Sequence, residues 1–361
     1  MISSGKHFSI HINGHIVPRE PLVAATHISP ELLTSIGLAL AFYMAFNLGG
    51  NDAANPTNMV IGSGALSLRK TLLLFSLFAF LGAYLQGFHV IKTLGKGVVK
   101  DIDPLMAVSA SLGAGLWVTT ATRKGLPVST THSTVGAILG VGLVRGLLAG
   151  EASKIDWSVV EKVVLSWITS PLGAMVLAFI LYYVFSALER MLGAEKGVKA
   201  FKVILVATMA FGAYAFGAND VGNATGVYVT VVSSVFGVPG ESTLRLLALL
   251  GGVGIMTGAL LWGYRVIMTV GFKITRMDYV SGAAAELANA TSVYLFTLMG
   301  MPVSTTHASV SSVIGIGVAK EKGFKGVEWR TVAIIVAGWI LTLPIAAGLA
   351  GGIYSLLSAI T

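Results

Sequence analysis

A chain of 361 residues that is 55% hydrophobic and only 11% charged, with a mean hydropathy of +0.82, cannot supply the polar surface of a water-soluble fold. Ordinary soluble domains carry about 25% charged residues, so the composition implies an outer face that meets lipid. The formal charge of +8 does not mark a nucleic-acid binder, because the lysines and arginines fall mostly between apolar runs, as they do near membrane surfaces. The absence of cysteine removes disulfides, thiolate metal sites and cysteine nucleophiles.

Residues 1–31 form a polar N-terminal segment. It holds four of the seven histidines (His7, His11, His15 and His27), together with Pro18 and Pro21. It lacks the basic start and apolar core of a secretory signal. A surface segment with one short extended piece is expected there, with a histidine metal site as the alternative. From residue 32 onward, apolar runs recur at 32–61, 71–90, 163–185, 243–262 and 331–357. Each is near or above the roughly 20 residues a helix needs to cross the hydrocarbon. The runs are continuous rather than alternating, which argues against a β-barrel. The expectation is an all-α polytopic membrane protein.

Polar groups interrupt the first run. Asn51, Asp52 and Asn55 stand well inside it, after Gly49-Gly50 and before Pro56. Spacings of three and four put them near one helical face. The flanking glycines and proline predict a broken helix near mid-membrane, whose freed carbonyls join the carboxylate in holding a cation. An aspartate at that depth costs on the order of 3 kcal/mol even on a lenient scale. It needs a partner, a proton or a solvated cavity; pinning helices together through hydrogen bonds is the plainer alternative. Farther along comes Pro127-Val128-Ser129-Thr130-Thr131-His132, followed by Ser133 and a glycine-rich apolar run. A serine or threonine ahead of a helix caps it, and a buried helix start also offers its N–H groups to an anion. Capping occupies one hydroxyl and leaves the others without a task. His132 is expected to donate to the anion, switch with protonation, or orient a neighbouring ligand; a structural histidine fits equally well.

Both motifs return. Asn219-Asp220-Val221-Gly222-Asn223 follows the first at an offset of 168, and Pro302-Val303-Ser304-Thr305-Thr306-His307 repeats the second letter for letter at an offset of 175. Two related halves are expected, 32–188 and 201–361, joined by a linker at 189–200. Paired repeats with interrupted apolar segments are the pattern of secondary transporters. Arg69-Lys70 and Arg123-Lys124 on one side, with Arg190, Lys196, Lys199 and Lys202 on the same side, favour an inverted repeat. The runs after Pro127 and Pro302 are long enough for re-entrant hairpins. Asn51, Asp52, Asn219 and Asp220 then suit a hard cation such as Na⁺, or a titrating proton. Two facing helix starts, 129–133 and 304–309, make a cradle for a tetrahedral oxyanion. Glu286, with Asn289, has no acid at its first-half counterpart, where Ser111-Leu112-Gly113-Ala114 stands; it is a candidate for a further cation or proton site.

The doubled signatures resemble the inorganic phosphate transporter (PiT) family. They stand here as Gly49-Gly50-Asn51-Asp52-Ala53-Ala54-Asn55-Pro56 and Gly217-Ala218-Asn219-Asp220-Val221-Gly222-Asn223-Ala224. The stretch Gly62-Ser63-Gly64-Ala65-Leu66-Ser67-Leu68-Arg69 is also similar to the family's segment after its first signature, and the resemblance covers roughly residues 35 to 360. It implies an inverted-repeat membrane transporter with broken helices and two re-entrant hairpins, a dimer rather than an enzyme. Inorganic phosphate would lie between the hairpin tips and the broken helices, driven by Na⁺ or alternatively H⁺, with no other cofactor. The implied phosphate residues are Ser129, Thr130, Thr131, Ser304, Thr305 and Thr306 with Asn55 and Asn223. The implied cation residues are Asn51, Asp52, Asn219 and Asp220; the residue pattern itself adds Glu286 as a cation or proton candidate, with His132, His307 and Asn289 as second-layer candidates. Pro56 and Gly222 depart from the alanines of the common signature. The expected location is the cell membrane.

Two other functions compete. A sulfate permease on the same scaffold would want donors alone, whereas phosphate keeps an O–H at neutral pH and needs an acceptor such as Asp52, Asp220 or Glu286. A membrane enzyme acting on a lipid phosphate would gather basic residues at its site, and only Arg123-Lys124 lies beside either motif.

Overall fold

The computed structural model describes residues 11–12, 15–16, 28–150, 154–238, 240–270, 277–321 and 323–360. Near the N-terminus, β1 (His11–Ile12) and β2 (His15–Ile16) pair antiparallel, with His11 opposite Ile16. The remainder of 1–27 lies outside the described residues, and so does the histidine metal site considered for it.

The first half runs α1 (Pro30–Asp52), α2 (Ala54–Gly62), α3 (Leu68–Gln86), α4 (Phe88–Lys96), α5 (Pro104–Arg123), α6 (Thr130–Ala149) and α7 (Trp157–Leu192). The second repeats the order as α8 (Ala194–Thr225), α9 (Tyr228–Phe236), α10 (Gly240–Trp262), α11 (Tyr264–Val270), α12 (Tyr279–Leu298), α13 (Thr305–Lys320) and α14 (Trp329–Ser358). A short 3₁₀ turn, Phe324–Gly326, precedes α14. The stretch 189–200, expected as a linker, is helical on both sides of Gly193. That glycine caps α7 at φ 78, a left-handed value that suits glycine.

Eight helices are long and apolar enough to cross a membrane among the described residues. Two of them, α5 and α6, do not cross, because the turn between them lies at the centre of the protein: Val128 and Ser129 are buried there, and so are Val303 and Ser304 between α12 and α13. The two tips touch, with the Thr131 hydroxyl donating to the Val303 carbonyl at 2.9 Å. A loop that had reached the far membrane face could not meet its counterpart in the middle. Each half therefore makes three crossings, α1/α2, α3/α4 and α7 or their mates, plus one re-entrant hairpin. An odd number turns the second half upside down relative to the first.

The halves interlock rather than sit side by side. Helix α1 packs on α10 and α8 on α3, while α6 packs on α14 and α13 on α7. Small residues permit this close approach. A Cβ on Gly258 would run into the backbone of Phe46, and one on Gly217 into the backbone of Ala79. Both hairpins are closed at their bases by equivalent pairs. Asp103 caps α5 through Met106 N–H at 2.8 Å and faces Arg145 at 3.8 Å. Asp278 caps α12 through Ser281 N–H at 2.8 Å and meets Lys320 at 2.8 Å.

Candidate functional site

The hairpin tips are held by the first asparagine of each signature. Asn51 donates from Nδ2 to Thr122 Oγ1 (2.8 Å) and to the Leu126 carbonyl (3.1 Å), and its Oδ1 accepts from Val128 N–H at 3.3 Å. Asn219 does the same with Thr297 Oγ1 (2.9 Å), the Met301 carbonyl (3.0 Å) and Val303 N–H (3.2 Å). Both amides are fully engaged in clamping their own half's hairpin. Asn51 and Asn219, expected as cation ligands, are placed by the structure against the hairpin tips. Thr122 and Thr297, which complete the clamps, carry no motif; their separation of 175, the offset of the hairpins, is the signal that marks them.

The clamps deliver α6 and α13 start-first to the centre, against the aspartates. The Thr130 hydroxyl donates to Asp52 Oδ2 at 2.7 Å and stands 3.5 Å from Asp220 Oδ1. Thr306 donates to Asp52 Oδ1 at 3.2 Å, so one carboxylate is held by both hairpins. Asn55 Nδ2 donates to Thr306 at 3.0 Å, with Thr305 Oγ1 and Asp52 Oδ1 each at 3.4 Å. Asn223 Nδ2 donates to Asp220 Oδ1 (2.8 Å) and Thr131 Oγ1 (2.9 Å). The cluster thus draws on five helices (α1, α2, α6, α8 and α13) and both halves. Ser129 and Ser304 serve as N-caps, accepting from the N–H of His132 and His307. Helix geometry leaves the N–H groups of Thr130, Thr131, Thr305 and Thr306 without intrahelical acceptors, pointing into the same region.

The helix interruptions differ from the sequence expectation. In the first half only Ala53 leaves the helix, because the Pro56 ring crowds the carbonyl of Asp52, four residues back. In the second half α8 runs unbroken through Asn219, Asp220 and Asn223, and the interruption comes after Thr225, at Gly226 and Val227. No proline follows Asn223, and glycine alone does not stop a helix packed on all sides. The motif carbonyls are engaged as well: Ala53 accepts from Thr57, Asn55 from Ser309 and Asn223 from Thr134. Side-chain oxygens, not unwound backbone, face the centre.

The charge balance of the site is one-sided. Asp52, Asp220 and Glu286 are each completely buried, while every ion pair among the described residues lies at the surface. Two nearby carboxylates sharing Thr130, with no basic side chain paired to them among the described residues, are strongly unfavourable in a medium of low dielectric. Asp220 Oδ2 and Asn223 Oδ1 have no hydrogen-bond partner. Glu286 lies apart from this cluster, on α12. It accepts from Asn289 at 3.4 Å, its Oε1 rests where Gly212 of α8 has no side chain, and its Oε2 has no partner. The histidines take a different place. The His132 ring packs against Trp167 (3.9 Å) and against His307 (4.6 Å), and His307 packs against Trp339 (3.7 Å). They form an aromatic cluster across the two halves, with His132 meeting Trp167 and His307 edge to face.

The phosphate transporter family pattern matches residues 48–350. A candidate phosphate permease of Pyrococcus furiosus is 33% identical, over 91% of this chain and 96% of its own length. The inorganic phosphate transporter 2-1 of Arabidopsis thaliana, a chloroplast protein, is 30% identical over 89% of this chain and 71% of its own. A solved structure described as the sodium-dependent phosphate transporter superposes with a TM-score of 0.81 at 30% identity, covering 91% of this chain and 100% of that one. With the interlocked repeats, the paired hairpins and the signatures all in register, the chain belongs to the phosphate transporter family, as a multi-pass membrane protein.

Proposed function

We propose that the protein is a secondary active transporter that carries inorganic phosphate together with a cation, Na⁺ in the first instance. The observation that carries this reading is the pair of buried carboxylates, Asp52 and Asp220, placed without a basic partner between two helix N-termini. Carboxylates alone would repel an anion, and helix starts alone would leave the acids uncompensated. A cation and an oxyanion together satisfy both. Thr130, Thr131, Thr305 and Thr306, with the N–H groups at their helix starts, hold phosphate oxygens. Asp52, Asp220, Asn55 and Asn223 supply the oxygens that a hard cation takes, and Glu286 with Asn289 supplies a further cation or proton site. Asn51 and Asn219 position the hairpins, and Ser129 and Ser304 cap them.

The same acceptors favour phosphate over sulfate, because the remaining phosphate O–H needs an oxygen to donate to. A lipid-phosphate enzyme finds no support in a family of transporters. Inverted repeats exchange access to the two sides of the membrane by exchanging conformations. A cation bound first lowers the electrostatic cost of the anion, and by linkage the anion tightens the cation. Sodium rather than protons is supported by the likeness to the solved sodium-dependent phosphate transporter. Dimeric assembly in the cell membrane completes the proposal.

The test is uptake of labelled phosphate into proteoliposomes under an inward Na⁺ or H⁺ gradient, with excess sulfate as competitor. Uptake that follows the Na⁺ gradient and ignores sulfate is expected. Uptake blocked by sulfate, or independent of both gradients, would overturn substrate or coupling respectively.

A further inference from the structure

Between the central cluster and the base of the first hairpin lies a cavity of about 10 Å³, room for one water, lined by Met44, Ser111, Ala114, Thr134, Ile138 and Asn223 among others. Asn223, one of its lining residues, has an unpartnered Oδ1. Toward the hairpin base Tyr228 stands over it. This tyrosine is completely buried; its hydroxyl donates to the Ala107 carbonyl (3.1 Å) and shares a second hydrogen bond with the Ser111 hydroxyl (2.9 Å), and its ring lies where Gly37 has no side chain. One side chain thus ties α9 to α5 and α1. Tyr228 is also the first residue of α9, directly after the interruption at Gly226 and Val227, so a change of angle there would carry the ring with it.

The repeat supplies the comparison. Shifted by the motif offsets, Met44 becomes Gly212, Ser111 becomes Glu286, Ala114 becomes Asn289 and Tyr228 becomes Val60. The corresponding region of the other half therefore contains an acid and no tyrosine latch. The Met44 side presents hydroxyls, an amide and a thioether, and no carboxylate. A buried carboxylate repels a passing anion strongly at low dielectric, whereas hydroxyl and amide groups suit one.

We infer that this cavity is a section of the route by which the oxyanion moves between the central site and the side of the first hairpin base, and that Tyr228 is the residue that closes it. The inference rests on the proposed transport site but concerns residues outside it. The chain has no cysteine, so single cysteines report on the route directly. Ile138→Cys lines the cavity, and Val313→Cys is its repeat mate. Both are reconstituted as full-length protein, alone and with Tyr228→Phe, and treated with sulfonate-bearing and quaternary-ammonium methanethiosulfonate reagents.

Removing the two hydrogen bonds of the latch is expected to speed modification of Ile138→Cys by the anionic reagent about tenfold, to leave Val313→Cys unchanged, and to be opposed by phosphate. The ratio of anionic to cationic rates is expected to be higher for Ile138→Cys than for Val313→Cys. No acceleration with Tyr228→Phe, or a preference for the cationic reagent at Ile138→Cys, would overturn the inference. Ala114→Cys, on the same cavity wall, replaces Ile138→Cys where the latter does not fold. A parent chain that moves no phosphate in the uptake assay would count against the site; the labelling rates test route and latch whichever anion is carried.

Discussion

Asp52 and Asp220 occupy the same place in two copies of one motif, yet their surroundings differ. Asp52 accepts from Thr130, Thr306 and Asn55, so both of its oxygens are engaged and both hairpins are fastened to it. Asp220 accepts on Oδ1 alone, leaving Oδ2 and the neighbouring Asn223 Oδ1 without partners. The scaffold is nearly symmetric, but its two acids are not equivalent. The first accepts from hydroxyls of both hairpins; on the proposed reading, the second offers its unpartnered oxygen, with that of Asn223, to the cation. The same asymmetry recurs one layer out, where Ser111 and Met44 face Glu286 and Gly212 across the repeat.

The largest expected effect follows directly. Asp220→Asn should weaken Na⁺ dependence of phosphate uptake about 100-fold, the loss of a charged ligand being worth roughly 3 kcal/mol. Asp52→Asn should weaken it by only about tenfold, showing its main effect instead as a lower melting temperature of the purified protein. Equal shifts in both assays would erase the distinction between the two acids.

Next come the clamps. Asn51→Ala and Asn219→Ala each leave a buried backbone N–H and a carbonyl unpartnered and remove a donor from a threonine hydroxyl, so each should destabilise the protein by about 1–3 kcal/mol. Their effects should match one another, because the two sets of three hydrogen bonds match. The Na⁺ concentration giving half-maximal uptake should stay at the parent value, which separates a clamp from a ligand. A strong rise in that concentration would return these amides to the cation site.

Glu286 sharpens the outer asymmetry. A Cβ at Gly212 would overlap Glu286 Oε1, so Gly212→Ala should displace the carboxylate and reproduce the uptake defect of Glu286→Gln. Met44→Ala, at the repeat-related position, should not. The smallest effect belongs to the base of the second hairpin. Burial works to raise the Asp278 carboxyl, but hydrogen bonds from Lys320 and Ser281 outweigh it and hold it below its ordinary value. Its contribution is therefore complete above the usual carboxylate pKa of about 4 and is lost as pH falls below it. Lys320→Ala should lower stability by at most about 1 kcal/mol, without pH dependence between about pH 5 and 8, in a thermal-shift measurement.

Repetition made much of this legible in the sequence. Costly polar groups returning in order at offsets of 168 and 175 point to two halves, a transporter scaffold and the acids at its centre. What a local reading could not supply was the identity of partners far along the chain. The Asn51 clamp closes only when residues 71 to 77 positions away turn back to it. The tryptophans packed against His132 and His307 lie on α7 and α14, with no motif of their own to mark them. The break expected at the second signature moved beyond it because nothing after Asn223 does what Pro56 does. The interlocking of the halves was hidden among glycines whose neighbours, such as the Phe46 backbone at Gly258, come from the opposite half.

The central claim is that a cation at the buried acids makes room electrostatically for the anion. Equilibrium binding of phosphate to the purified protein, measured without Na⁺ and at saturating Na⁺, tests it most directly. Phosphate should bind at least about tenfold more tightly with Na⁺, and in Asp220→Asn the difference should vanish. Equal phosphate affinity with and without Na⁺ in the parent protein would contradict the account.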